Sequence, residues 1–447
     1  MAERVDLLVT GGRVVDEEVD RPADVAIRDG RIVALLRPGE PVTAGRTLDA
    51  AGCVLLPGLV DAHAHLREPG LTHKEDFSTG THAAALGGVT TVLDMPTDEP
   101  WTATAGQLAE KMQSAQGRLH VDTGFQVALT AGLAGLDDVL ALGPVSLELF
   151  TADVPEAFLF PTMDSVAEAL ARLKGADTLV GISPGDQSIL AAAATRNRDG
   201  TVGDFLAGRP PLAEAQGVAR AVLAAAATRA RIHVRQVNSA LGVATWARLR
   251  DLSDASVETT PQNLFFTAQD YAGSEAARLK ASPPFRTAGD RAALRAALAQ
   301  GVVDIVATDH APHAPAEKAA PASAFADIPG GMPGLQTLLA TMLRLVDEGV
   351  IALPDLARLC ARNPAERFGL RRKGRIAPGF DADILALDPA ADTRIATAEQ
   401  VSKAGYTPFD GWTCRGRLRR VLLRGEEIVR DGALIKRGCG SVVTRNG

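Results

Sequence analysis

The segment Asp61-Ala62-His63-Ala64-His65-Leu66-Arg67-Glu68-Pro69-Gly70 follows directly on the apolar run Val54-Leu55-Leu56-Pro57-Gly58-Leu59-Val60. Side chains alternate across a strand, so His63 and His65 face the same side. Two neutral imidazoles at one strand end can hold a single metal ion. A second apolar stretch, Val306-Ala307-Thr308-Asp309-His310-Ala311-Pro312-His313, runs into an acid. A carboxylate in that position can ligate a metal and accept a proton from water that the metal activates. Each segment alone also admits a plainer reading. The histidines could be polar strand residues facing water, and Asp309 could cap a helix or close a turn.

These residues need elements that place them together. Short apolar runs at 89–95, 124–129, 145–150, 179–183, 232–238 and 305–309 alternate with Ala-, Leu- and Arg-rich helical stretches at 163–173, 213–230 and 291–300. Asp290 is the expected N-cap of the last stretch. Such β-α alternation predicts a parallel α/β architecture, and a (β/α)8 TIM-like barrel suits a span of this size. In such a barrel, catalytic groups gather at the carboxyl ends of the strands. A doubly wound sheet is the alternative fold, but no GxGxxG or Walker segment opens a helix. Both ends of the chain read as strands instead, among them 24–27 and 31–36, joined by the hairpin signal Asp29-Gly30. The expected organisation is a barrel over 57–370 and a small β-sandwich assembled from 1–56 and 371–447.

Composition narrows the function classes. The chain has 447 residues, of which 46% are hydrophobic and 23% charged, enough to build a large core. Its net charge of -7 argues against a nucleic-acid or anionic-membrane partner. Cys53, Cys360, Cys414 and Cys439 are widely separated and form no CxxC, as expected of free thiols in a reducing cytosol. No signal-peptide pattern follows Met1, and no apolar run approaches the ~20 residues that span a bilayer. A cytoplasmic protein is expected. The basic run Arg371-Arg372-Lys373 reads as a solvated linker.

HxHLREPG at 63–70, Lys74-Glu75-Asp76, Gly87-Gly88-Val89-Thr90-Thr91 and ATDHAPH at 307–313 resemble a dihydroorotase of the amidohydrolase superfamily. Gly208-Arg209-Pro210-Pro211-Leu212-Ala213-Glu214-Ala215 resembles its RPPxAEA segment, and Ser282-Pro283-Pro284-Phe285-Arg286 its NPPLR. The resemblance spans nearly the whole chain and is specific for the dihydroorotase, allantoinase and hydantoinase branch. It implies a distorted metal-binding barrel with a β-sandwich built from both termini. It also implies hydrolysis of a cyclic amide or imide C–N bond by one metal-bound hydroxide, on a ring that carries a carboxylate. A homodimer or homotetramer is the implied assembly.

The family binds two metal ions through HxH, a bridging carboxylate (often a carboxylated Lys), two further histidines and a final Asp. Here Val145, Leu147 and Leu149 take the helix-facing side of their strand, so Ser146 and Glu148 point inward. Glu148 falls where the Lys stands, and Asp153 is a second candidate. Ser183 and Gln236 occupy the places of the two further histidines. Both are poor zinc ligands beside imidazole and carboxylate, so the second metal site is expected to be absent or weak. One Zn2+ per chain on His63, His65, Glu148 and Asp309 is the expected centre, with Asp309 also the proton-transferring residue.

The resemblance assigns Arg67 to the ring carboxylate, as a planar guanidinium suits. Two amide side chains expected beside it are shortened here to Thr97 and Ser282, which points away from dihydroorotate itself or to a larger ligand. Gly331, in a glycine-rich loop, is expected to meet substrate through its backbone, and His313, with His310, to line the mouth. The same four departures, Ser183, Gln236, Thr97 and Ser282, motivate an alternative: a catalytically inactive dihydroorotase-like structural partner, for example of aspartate transcarbamoylase.

Overall fold

The computed structural model describes residues 4–196, 200–319 and 322–445. Eight parallel strands follow one another in spatial order: β1 (Leu59–Ala64), β2 (Val89–Asp94), β3 (Asp122–Ala128), β4 (Ser146–Phe150), β5 (Val180–Ser183), β6 (Ile232–Val234), β7 (Ala255–Thr259) and β8 (Ile305–Val306). Parallel strands covered by helices are buried on both faces, hence their unbroken apolar runs. Every residue of β1 to β4 is buried. The ring closes where Ala64 bridges to His310 and the His65 amide donates to the His310 carbonyl at 2.7 Å. Sequential order with closure makes this a TIM-like barrel and excludes the doubly wound sheet. No helix among the described residues is long and apolar enough to cross a membrane.

The terminal segments form two further sheets. Val5–Thr10, Asp24–Arg28, Arg31–Leu36 and Ala44–Asp49 make one. Its hairpin turns at Asp29 (φ 51°) and Gly30 (φ 73°), the two left-handed residues that a tight two-residue turn requires. In the other sheet the chain ends interleave: Val54–Pro57 pairs antiparallel with Ile384–Arg394, Leu56 opposite Leu385. One apolar cluster then takes Leu7, Val25 and Ile32 from the N-terminal part and Ile376, Ile384 and Leu422 from the C-terminal part. Val442–Val443 leaves these sheets and pairs with β3.

Two local expectations are corrected. The helix expected to start after Asp290 spans Ala288–Ala299, with Thr287 as its N-cap. The Thr287 hydroxyl accepts from the Asp290 amide at 3.2 Å, and the Asp290 carboxylate accepts from the Thr287 amide at 3.0 Å. This reciprocal box places Asp290 in the first turn, not at the cap. Lys373 is no solvated linker residue. It is buried, with its ammonium 2.6 Å from Asp122, 3.0 Å from Asp381 and 2.8 Å from Asp383. These carboxylates tie the return into the sandwich to β3, and they raise the lysine pKa against the opposing effect of burial. Removing one member of a buried ion cluster leaves uncompensated charge. Lys373→Met is therefore expected to cost about 3–5 kcal/mol of stability, measured by denaturant unfolding. A loss below about 1 kcal/mol, the scale of a surface pair, would refute this anchoring role.

Candidate active site

His63 and His65 lie on β1, and Asp309 follows β8, its neighbour across the closure. His63 Nε2 lies 3.4 Å and His65 Nε2 3.3 Å from Asp309 Oδ1. One ligand atom from each residue falls within a 4.8 Å cluster. The opposite ring nitrogens are engaged elsewhere. His63 Nδ1 lies 2.5 Å from Glu258 Oε1, and His65 Nδ1 lies 2.8 Å from Thr97 Oγ1. With Nδ1 donating its proton outward, each Nε2 lone pair faces the shared space, which is how metal-binding histidines are oriented.

Electrostatics supports a cation at this point. Burial holds His65 well below the ordinary imidazole pKa, with Arg67 adding to the effect, so its ring is neutral. Burial also disfavours a charged His63, but Glu258 and Asp309 outweigh it and raise its pKa. Burial pushes the Asp309 carboxyl up to about 7, although His63 and Arg67 work against the rise. Asp309 has a left-handed backbone (φ 46°), and its Oδ2 accepts from Gln236 Nε2. Two imidazole nitrogens and a carboxylate oxygen with open positions beside them fit one divalent ion, zinc included.

Glu148 is not in this group. It points into the barrel as strand alternation predicts, but its carboxylate is taken by other partners. Arg235 Nη2 donates to Oε1 at 2.7 Å and Nε to Oε2 at 3.2 Å, while Ser146 Oγ donates to Oε1 at 2.7 Å. The carboxylate lies over Gly181 of β5, where a Cβ would meet its oxygens at 2.2 and 2.3 Å. Asp153 is at the rim, paired with Arg209 at 2.7 Å.

Sequence reasoning missed Glu258 and Arg235. Glu258 is the one charged residue of Ala255–Thr259, and Arg235 shares the face of His233 by two-residue alternation. Those were the available signals. Burial resists the charge on Glu258, yet Arg235 and His63 bring its pKa well below the carboxylate range.

A cavity of about 300 Å³ opens over the triad. Ser183, Gln236, Ser282 and Gly331 line it, as does Arg67. At Gly331 (φ 134°) a Cβ would lie 2.4 Å from the Ala311 carbonyl, so only glycine fits there. Met95, Phe150, Val154 and Leu190 form an apolar wall. Arg67 is buried and donates through Nε to the Pro312 carbonyl at 3.3 Å. Among the described residues no carboxylate forms an ion pair with it. Two expected substrate contacts have supporting roles instead. Thr97 is spent on His65, and His313 Nε2 donates to the Gly330 carbonyl at 3.0 Å, bracing the glycine loop. His310 is buried, its Nδ1 accepting from the Gly334 amide at 3.0 Å.

Residues 252–428 match the Amidohydrolase family, and residues 52–240 match the description Dihydro-orotase-like. An allantoinase of Streptomyces avermitilis is 36% identical over 437 residues, covering 96% of each chain. A dihydroorotase of Halobacterium salinarum is 36% identical over 401 residues, covering 87% of this chain and 91% of that one. Among solved structures, the L-hydantoinase (dihydropyrimidinase) of Arthrobacter aurescens superposes with a TM-score of 0.93 at 28% identity, covering 99% of this chain and 100% of the other.

Proposed function

The chain belongs to the amidohydrolase family, whose members depend on metal, generally zinc, and from that premise we propose that it opens a cyclic amide C–N bond with one metal ion held by His63, His65 and Asp309. The convergence of their three ligand atoms at the floor of the cavity carries this reading. When bound, the ion would acidify a water molecule and polarise the ring carbonyl. The remaining roles belong to the chain. Asp309 Oδ1 faces the imidazoles, which leaves Oδ2 to take the proton of the attacking water and pass it to the leaving ring nitrogen. Gln236 holds that oxygen in place from the far side. Glu258 and Thr97 keep both imidazoles in the ligating tautomer.

Arg67 supports a ring with a carboxylate. A buried guanidinium with no carboxylate in ion-pair contact among the described residues leaves hydrogen-bonding capacity for a ligand to satisfy. The apolar wall of Met95, Phe150, Val154 and Leu190 accepts the hydrocarbon part of the substrate. An inactive structural partner is the less favoured reading, because His63, His65 and Asp309 are each held by a side-chain hydrogen bond, with Glu258, Thr97 and Gln236 respectively.

The test is metal removal and return. Chelation is expected to abolish turnover of cyclic amides, and one equivalent of zinc per chain to restore it. Rings bearing a carboxylate should be turned over in preference to neutral analogues. Failure to bind any metal when zinc is supplied, or turnover that survives chelation, would overturn the reading.

A further inference from the structure

The interior of the barrel holds a second charged assembly, just behind the triad. Arg235 is fully buried, and all five of its guanidinium N–H groups have acceptors. Nε and one Nη2 proton go to the two oxygens of Glu148. The other Nη2 proton goes to Gln126 Oε1. Nη1 donates to the Ala62 carbonyl at 2.9 Å and to Glu258 Oε2 at 3.1 Å. Oxygens from β1, β3, β4 and β7 thus surround one positive charge. Glu258 connects that charge to the triad, since its other oxygen holds His63 Nδ1 at 2.5 Å. His233 Nε2 also meets Glu258, at 2.9 Å.

This arrangement does not fit a second metal ion. The donors expected of it are Glu148, Ser183 and Gln236. Both oxygens of Glu148 are engaged by Arg235, Gln236 points its amide at Asp309, and a serine hydroxyl is a weak ligand. The cage nevertheless has what a hard cation needs, namely oxygens from two carboxylates, an amide and a backbone carbonyl. A guanidinium occupies it.

We propose that Arg235 is a built-in cation in place of a second metal ion: it pairs Glu148 with Glu258, closes their oxygen cage to a further divalent ion, and through Glu258 holds His63 in register for the first. Arg235 is a positioning residue. It touches the triad only by way of Glu258. The inference rests on the one-metal reading above and deepens it.

The test compares metal uptake by the full-length wild type, Arg235→Ala and Arg235→Lys, using plasma mass spectrometry and titration with Zn2+ and Mn2+. The wild type is expected to saturate at one ion per chain. Arg235→Ala uncovers the cage and is expected to take up a second ion, with a melting temperature that rises as Mn2+ is added beyond the first equivalent. Arg235→Lys keeps the charge but not the fork, so it should stay at one ion and bind zinc about 10- to 100-fold more weakly. Two tightly bound ions in the wild type would overturn the inference and the one-ion count, while leaving metal-dependent hydrolysis of a cyclic amide standing. No bound ion in the wild type would overturn the hydrolase reading itself, and this inference with it. If Arg235→Ala folds and still stops at one ion, the cage is not what excludes the second. Should it fail to fold without metal, recovery of folded protein on adding Mn2+ supports the proposal. Failure to fold even with Mn2+, together with wild-type zinc affinity in Arg235→Lys, overturns it.

Discussion

Asp309→Asn is expected to lower kcat by about 10³-fold or more while the protein remains folded. The substitution preserves shape, but an amide cannot accept the proton of the attacking water, and a positioned acid–base group contributes 10²- to 10⁴-fold on its own. Loss of an anionic ligand weakens the metal as well, so zinc affinity should fall in parallel. Stability separates this from unfolding. In the metal-free protein, burial raises the Asp309 pKa from 3.8 to about 7. A carboxyl with a raised folded-state pKa stabilises the fold least when ionised, so the metal-free wild type should lose stability as pH climbs through this window. Asp309→Asn has no such proton to lose. Its melting temperature without metal should match or exceed the wild type at pH 8. Retention of more than a tenth of wild-type kcat would remove Asp309 from the chemistry.

The second large effect is one of selectivity. Arg67→Met should lower kcat/KM for a carboxylate-bearing ring by about 10²- to 10³-fold, chiefly through KM. Turnover of a neutral cyclic amide should change by less than about fivefold. A site built to pair a charged group discriminates sharply once that pair is lost, whereas removing an unused charge costs a neutral ligand little. Equal losses on both substrates would show that Arg67 shapes the cavity and does not read a carboxylate.

The apolar wall and the triad of His63, His65 and Asp309 come from distant parts of the chain, yet parts of the site were legible from local pattern. Two-residue alternation places His63 beside His65, turns Ser146 and Glu148 inward, and needs only the strand itself. The apolar run ending at Asp309 marks a barrel strand end for the same reason. Turn chemistry identifies Asp29-Gly30, whose left-handed backbone is a property of those two residues. Family motifs locate Ser183 and Gln236 at positions where imidazoles are missing.

The pairing of the inward side chains was decided only in the tertiary structure. Glu148 on β4 faces the space expected of a metal ligand, but Arg235, following β6, reaches it first with a bidentate fork. Thr97 reads as a shortened substrate contact, yet it lies 2.8 Å from His65 because the chain after β2 folds back against β1. Lys373 reads as a solvated charge, but three aspartates from β3 and the sandwich enclose it. A residue's own sequence neighbourhood specifies which face it takes. Whether a buried charge meets a metal, a substrate or another side chain depends on which remote group lies within about 3 Å, and barrel closure sets that. In this chain, the sequence determined that His63 and His65 share a face and that Ser183 and Gln236 stand where imidazoles are expected. The fold determined that the Arg235 guanidinium, and no other group among the described residues, joins Glu148 to Glu258 inside the barrel.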